Sequence, residues 1–144
     1  MKFTYFTDYS LRTLIYLGVQ QNMLVTISEV AKSYGISQSH LTKVVHQLAN
    51  RGYIQTTRGK GGGMRLARLP QLINIGDVVR DMEDNVDLVE CFNAKNQSCP
   101  LLPACILKSV LAEARKNFFD TLGRYTLADL LTNQSSLRKN LEIN

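Results

Sequence analysis

The feature that most constrains the fold is a pair of capped helical segments separated by a tight turn. Thr26 and Glu29 have the spacing of a capping box, in which the Thr hydroxyl accepts from an exposed amide and the Glu side chain reaches back. Gly35 suits the left-handed conformation that ends a helix, and Ser37 is placed to cap a second helix running to about Asn50. The sequence therefore predicts a helix, a turn and a second helix.

The second helix of this pair has two unlike faces. Its apolar side chains have the i, i+3, i+4, i+7 spacing of a buried face, and they are Leu41, Val44, Val45 and Leu48. The opposite face consists of Ser39, Lys43, His46 and Asn50, flanked by Gln38 and Thr42. Because this outward face has hydrogen-bonding side chains and no carboxylate, it favours contact with phosphates and base edges.

The composition after the helix pair predicts a β-hairpin with a cationic tip. Residues 53–57 and 64–67 have strand-like composition, and residues 58–63 between them read Arg-Gly-Lys-Gly-Gly-Gly. A helix-turn-helix followed by a basic hairpin is the winged-helix arrangement, in which the second helix enters the major groove and the hairpin reaches the backbone or minor groove. The alternative is an ordinary hairpin with a flexible tip.

Double-stranded DNA is the partner that this arrangement predicts. The candidate contact residues are Ser37, Gln38, Ser39, His40, Thr42 and Lys43 on the second helix, and Arg58, Lys60 and Arg65 on the hairpin. Charge is distributed accordingly, since residues 1–72 have a balance of +7 and residues 73–144 a balance of −2. Clustered cations displace counterions from a phosphate backbone, so the basic half is the expected nucleic-acid binder.

Three further helices are predicted from apolar spacing, over residues 8–21, 75–84 and 104–122. The last of these has an apolar stripe along its length, which suggests that it packs against a partner helix. One short capped helix is expected at residues 126–131, and the polar end beyond it is expected to fray.

The chain contains three cysteines in one short segment, with the spacing Cys91-x7-Cys99-x5-Cys105. Structural zinc sites usually contain close ligand pairs and four ligands, so this spacing disfavours zinc. Three thiolates suit an iron-sulfur cluster in which one iron is left for a weaker donor. The alternative is three unrelated thiols in a flexible loop, and His40 and His46 are too distant in sequence to be expected as ligands. An odd thiol count and an opening segment without an apolar signal region favour the reducing cytoplasm.

These elements predict a mainly α fold with a small β-hairpin, a winged helix-turn-helix plus a long dimerisation helix. The predicted regions are a winged-helix DNA-binding region at 1–84, a cluster-binding loop at 85–105, a dimerisation helix and C-terminal helix at 104–131, and a flexible tail at 132–144. Neither a membrane span nor an enzyme is expected, because the chain has no apolar run of about 20 residues, paired carboxylates, activated nucleophile or P-loop.

Several of these segments together resemble the IscR and NsrR group of winged-helix iron-sulfur transcription regulators. They are Tyr-Ser-Leu-Arg-Thr-Leu-Ile-Tyr-Leu at 9–17, Ile-Ser-Gln-Ser-His-Leu-Thr-Lys-Val at 36–44, Arg-Gly-Lys-Gly-Gly-Gly-Met-Arg-Leu-Ala-Arg at 58–68, and the three cysteines. The resemblance covers roughly residues 1–131. IscR-type members have a histidine three residues after the third cysteine, where this chain has Lys108. That departure moves the resemblance to the NsrR-type, nitric-oxide-sensing repressors.

The resemblance implies a homodimer that represses nitric-oxide detoxification genes and senses nitric oxide through its cluster. It implies a 4Fe-4S cluster in preference to 2Fe-2S, held by the three cysteines and by an aspartate of the other subunit, whose position Asp8 matches. Asp8 is also a suitable helix N-cap. Asp84, Asp87 and Glu90 are nearer to the cysteines in sequence and remain rival oxygen ligands.

Two other functions stay open on the sequence alone. One is a cluster-occupancy or redox-sensing regulator of the same architecture, of the IscR type. The other is a winged-helix module for protein or RNA contact whose cysteines sense nothing.

Overall fold

The predicted helix-turn-helix forms as α2 (Ile27–Tyr34) and α3 (Gln38–Asn50) in a computed structural model that describes residues 1–144. The capping box is reciprocal, since the Thr26 amide donates to Glu29 Oε2 at 2.6 Å and the Glu29 amide donates to Thr26 Oγ1 at 3.2 Å. Gly35 ends α2 with φ of 64°, and Ser37 caps α3. Local capping chemistry therefore fixes both ends of the turn.

Helix α1 (Tyr5–Val19) begins three residues before the predicted start at Asp8. Thr4 is its N-cap, because the Thr4 hydroxyl accepts a hydrogen bond from the Thr7 amide at 3.3 Å. The alternative interpretation of Asp8 as the N-cap is wrong, since Asp8 lies within the first turn.

The hairpin consists of β1 (Ile54–Thr57) and β2 (Gly63–Leu66), which pair antiparallel from Ile54–Leu66 to Thr57–Gly63. The backbone of Val25, just before α2, pairs with Met64 through two hydrogen bonds of 2.8 and 2.9 Å. The hairpin is thus attached to the start of the helix pair, and we call residues 26–68, which contain α2, α3 and both strands, the reading head.

Helices α4 (Ile75–Met82) and α5 (Ile106–Gly123) flank the segment that contains the cysteines. Asn74 caps α4, which ends two residues before the predicted Asp84 because Glu83 is extended. Residues 84–105, the cysteine loop, are irregular, with short 3-10 turns at Glu90–Phe92 and Leu102–Ala104, so α5 begins two residues after its predicted start at residue 104.

The short capped helix predicted at 126–131 forms as a 3-10 turn, Leu127–Leu131, that begins at a Thr126 capping box. Helix α6 (Gln134–Asn140) lies where a flexible tail was expected at 132–144. Leu141 is buried in the core, its carbonyl accepts from the Ser33 hydroxyl at 3.2 Å, and Arg138 donates to the Val19 carbonyl at 3.1 Å. The largely polar composition gave no sign of this docking, which depends on Leu137, Leu141 and Ile143 against the core and on two contacts distant in sequence.

A single apolar core joins the reading head to the remaining helices. Side chains with at most 2% exposure come from α1, α2, α3, the hairpin, α4 and the C-terminal turn, and they include Leu14, Leu17, Val30, Leu41, Leu48, Met64, Val78 and Leu127. The fold class predicted from the sequence is confirmed, with six helices and one two-stranded sheet.

Replacing Leu48 by Ala is expected to lower the free energy of unfolding by about 2–5 kcal/mol, because it leaves a cavity in a fully buried position of α3. Urea denaturation of the two proteins measures the difference. Leu69→Ala is the matched control, since Leu69 is 66% exposed and its loss should change stability by no more than about 0.5 kcal/mol. Equal losses in the two variants would contradict this placement of the core.

Candidate nucleic-acid interface and cysteine loop

The outward face of α3 is polar and solvent-exposed. The exposed side chains are Ser37, Gln38, Ser39, His40, Thr42, Lys43 and His46. Some already have partners within the reading head: Ser37 and Ser39 share a hydrogen bond of 2.7 Å, and Gln38 donates to Ser28 at 3.3 Å. Lys43 has no carboxylate within ion-pairing distance, so its charge is available to an external anion.

The hairpin also exposes three cationic side chains, Arg58, Lys60 and Arg65. None of these side chains forms an ion pair. A side chain could not replace Gly62, because an added Cβ would lie 2.2 Å from the Thr57 carbonyl oxygen. Gly59, on the same turn, has a positive φ of 93°. These glycines allow a tight tip from which cationic side chains project.

The junction between α3 and β1 is held by a set of contacts that the sequence did not predict. Tyr53 is 2% exposed and donates from its hydroxyl to Asp81 Oδ2 of α4 at 2.6 Å. Burial, and then the hydrogen bond to Asp81, raise the pKa of Tyr53 above its usual value. The Arg68 guanidinium stacks over the Tyr53 ring at 4.4 Å and donates to the carbonyls of Arg51 and Gly52. Residues distant in sequence thus fix the hairpin relative to α3.

Tyr9 and Tyr34 connect α1 to the reading head. The Tyr9 and His40 rings lie 6.5 Å apart, and the Tyr34 hydroxyl donates to the Arg12 carbonyl at 2.9 Å. Burial raises the pKa of Tyr34 to about 12, against an opposing contribution from the Arg12 guanidinium. The His40 ring is thus close to α1 and is also part of the exposed face of α3.

The three cysteines are free thiols on the cysteine loop and at its end. Cys91 and Cys105 are half-buried, and Cys99 is exposed. Cys105 is the N-cap of α5, with Sγ accepting from the Lys108 amide at 3.4 Å. No three His, Cys, Asp or Glu side chains lie close enough to hold a metal ion. The donor chemistry nevertheless fits iron, since all three thiols are free of disulfides and lie outside the core.

Arg115 of α5 holds the first part of the cysteine loop. It pairs with Asp87 at 2.6 Å and stacks over the ring of Phe92, next to Cys91, at 4.3 Å. Asp87 is therefore committed to Arg115, and Glu90 accepts from Asn96 at 3.3 Å. Two of the three rival oxygen donors, Asp87 and Glu90, therefore already have partners, whereas Asp84 forms no ion pair.

Asp8 forms an ion pair on its own helix. Its carboxylate contacts the Arg12 guanidinium at 2.7 and 3.0 Å, and both side chains are about two-fifths exposed. Exposed i, i+4 pairs contribute at most about 1 kcal/mol, so this contact is a weak restraint on the carboxylate.

Glu83, at the end of α4, contacts the first turn of α1. One carboxylate oxygen accepts from the Thr7 hydroxyl at 2.5 Å and from the Thr4 amide and hydroxyl at 3.2 Å each. Glu83 also lines a groove of about 650 Å³ between the N-terminal residues, the start of the cysteine loop and α5. Nothing local in the sequence marks Glu83 as a functional residue, because its contact with Thr7 spans 76 positions.

Helix α5 leaves much of its apolar stripe uncovered. Ile106, Leu107 and Val110 are 79, 61 and 54% exposed, and only Phe119 is buried, where Arg80 of α4 stacks on it at 4.4 Å. No helix of the chain has both the length and the apolar character needed to cross a membrane.

Comparison with known proteins places this architecture among transcription regulators. The structure of T. potens IscR superposes with a TM-score of 0.74 at 25% identity, over 92% of this chain and 88% of that one. That of CymR, the global cysteine regulator of B. subtilis, gives 0.73 at 24% identity, over 90% of this chain and 95% of that one.

Sequence comparison extends the likeness along the whole chain. This chain is 50% identical over 140 residues to the HTH-type transcriptional regulator NsrR of Bacillus licheniformis, and the match covers 96% of this chain and 98% of the relative. It is 46% identical to NsrR of Bacillus subtilis over 144 residues, covering 99% of each. The Rrf2 pattern, described as an iron-dependent transcriptional regulator, matches residues 3–133. The chain therefore belongs to the Rrf2 family of transcriptional regulators.

Proposed function

We propose that this regulator is a homodimeric, cytoplasmic repressor of nitric-oxide detoxification genes whose iron-sulfur cluster senses nitric oxide. The observation that supports this best is the location of three free thiols outside the core of a chain 46–50% identical to regulators named NsrR. Lys108, in place of the IscR-type histidine, supports the same assignment.

DNA binding is proposed for the exposed face of α3 and the hairpin tip. The α3 candidates would contact base edges and phosphates in the major groove, and Arg58, Lys60 and Arg65 would contact phosphates or the adjacent minor groove. The absence of ion pairs from Lys43 and from these three cations supports the proposal, because no internal carboxylate competes with phosphate.

The homodimer is proposed to form through α5. Its exposed stripe of Ile106, Leu107 and Val110 would be covered by the same helix of a second subunit, which removes apolar surface from water. Pairing along this helix would place two reading heads about one DNA turn apart on a pseudo-palindromic operator.

Cys91, Cys99 and Cys105 are the proposed cluster ligands, and Asp8 of the partner subunit is the proposed fourth one. When bound, the cluster supplies iron to which nitric oxide can bind, and we expect the 4Fe-4S form in preference to 2Fe-2S. Asp8 is available for this role because its present ion pair with Arg12 is exposed and weak. Asp87 is less available, because Arg115 holds it.

Lys60→Gln tests the hairpin contact. We expect lower affinity for an operator duplex selected by the wild-type protein from random DNA, and a slope of log affinity against log salt reduced by about 1, because one phosphate contact is lost. Fluorescence anisotropy at several salt concentrations measures both. Lys139→Gln on α6 makes the same charge change outside residues 26–68 and at none of the candidate DNA contacts, and an equal effect there would exclude a specific contribution of Lys60.

Cys99→Ser tests the cluster ligands. Wild-type protein isolated without oxygen is expected to be brown, with Mössbauer spectra of a 4Fe-4S cluster, whereas the variant should lose iron because a hydroxyl is a poor ligand for it. Ser98→Ala, at the neighbouring exposed position, is the matched control and should retain wild-type iron. A colourless wild-type protein that binds its operator would refute the sensor proposal.

The response to two treatments distinguishes nitric-oxide sensing from cluster-occupancy sensing. A nitric-oxide sensor should lose operator binding at low equivalents of nitric oxide in iron-replete protein. A regulator of the IscR type should respond to cluster depletion and remain bound when nitric oxide is added.

A further inference from the structure

The last turn of α4 contacts the reading head through Asp81. The Asp81 carboxylate accepts from the buried Tyr53 hydroxyl at 2.6 Å and faces the Arg51 guanidinium at 3.7 Å. Arg51 is the C-cap of α3, and Tyr53 immediately precedes β1. The Asp81 carboxylate therefore contacts both residues at the junction of α3 and β1. These contacts hold the angle between α3 and the hairpin.

The same turn contacts α1 through Glu83, two residues later. The Glu83 carboxylate accepts from Thr4 and from Thr7, which is fully buried. Thr4 is the N-cap of α1, and Asp8 follows Thr7 directly. Glu83 thus fixes the turn of α1 from which the proposed fourth ligand projects.

The cysteine loop begins at the next residue, Asp84. A displacement of the start of that loop would be transmitted to Glu83 through one peptide bond and to Asp81 through the end of a short helix. Elsewhere the first part of the loop is restrained mainly by Arg115 of α5, through Asp87 and Phe92. The end of α4 is consequently the covalent connection between this loop and the elements that would touch DNA.

We infer that Asp81 and Glu83 are positioning residues that make the geometry of the reading head depend on the state of the cysteine loop. The inference rests on the proposed function. Asp81 acts on the angle between α3 and the hairpin, and Glu83 acts on the placement of Asp8. Such coupling requires contacts whose free energy differs between the two loop states, and hydrogen bonds to charged groups are strong enough to provide that difference.

The variants Asp81→Ala and Glu83→Ala test this role. The measured quantity is the ratio of operator dissociation constants for cluster-free and cluster-loaded protein. Coupling between sites usually changes affinity by about 5- to 150-fold, so each variant should reduce the wild-type ratio at least about fivefold towards one. Iron per subunit should remain at the wild-type value in Asp81→Ala, because Asp81 contacts no proposed ligand. In Glu83→Ala it should fall no further than in Asp8→Ala, because all three thiols are present and Glu83 acts only on the placement of Asp8.

Asp77→Ala is the matched control. Asp77 lies on the same helix, and its side chain is two-thirds exposed and faces Arg80 at 3.7 Å, so the wild-type ratio should be preserved. Tyr53→Phe removes the hydrogen bond to Asp81, and Glu83→Gln removes the negative charge from the bonds to Thr4 and Thr7 while keeping an acceptor oxygen. These milder variants replace the Ala variants if thermal unfolding shows that either of those does not fold.

The results separate failure of this inference from failure of the proposed function. A wild-type ratio of one overturns the proposed function and this inference with it. A wild-type ratio well above one that persists within twofold in the Asp81 and Glu83 variants overturns the inference alone. Loss of iron from Asp81→Ala, or a larger loss from Glu83→Ala than from Asp8→Ala, also overturns it for that residue, since the residue would then support the cluster itself.

Discussion

The burial of one face of α3 against α1 is the interaction on which the rest of the structure depends. The α-helical period of 3.6 residues means that once Leu41, Val44, Val45 and Leu48 are buried, the direction of every other α3 side chain is set. Leu14 and Leu17 of α1 belong to the same core. The polar face of α3 is exposed because its apolar face is packed, and specificity for an external partner can be encoded there without cost to the core.

Local chemistry made this part of the fold predictable. Capping by Thr26 and Ser37 and the positive φ at Gly35 act within one helical turn, so residue types alone indicate them. The start of α1 was misplaced because Thr4 and Asp8 are both suitable caps, and the hydroxyl that bonds the Thr7 amide decides between them. Helix α6 was missed because its stability depends on docking of Leu137, Leu141 and Ile143 against the core, which its mostly polar composition does not indicate.

The contacts that organise the candidate site were not predictable in the same way. Tyr53 and Asp81 are 28 positions apart, and Thr7 and Glu83 are 76 apart. A side chain that pairs across such distances leaves no periodic trace in the sequence. A buried tyrosine requires a hydrogen-bond partner, which is the one general clue to Tyr53, but it does not identify the partner. The cysteine spacing predicted that the three thiols bind iron, whereas in the structure they do not lie close enough together to hold a metal ion.

Metal binding commonly supplies the ordering free energy for loops of this kind, because the ligands must converge on one centre. The proposed sensor would therefore have a loop whose arrangement depends on iron and a reading head whose geometry follows that arrangement. The most direct test is a titration of one oxygen-free sample with nitric oxide, in which cluster absorbance and operator affinity are measured together. We predict that affinity falls in step with absorbance. Unchanged operator affinity after complete loss of the absorbance would contradict the account.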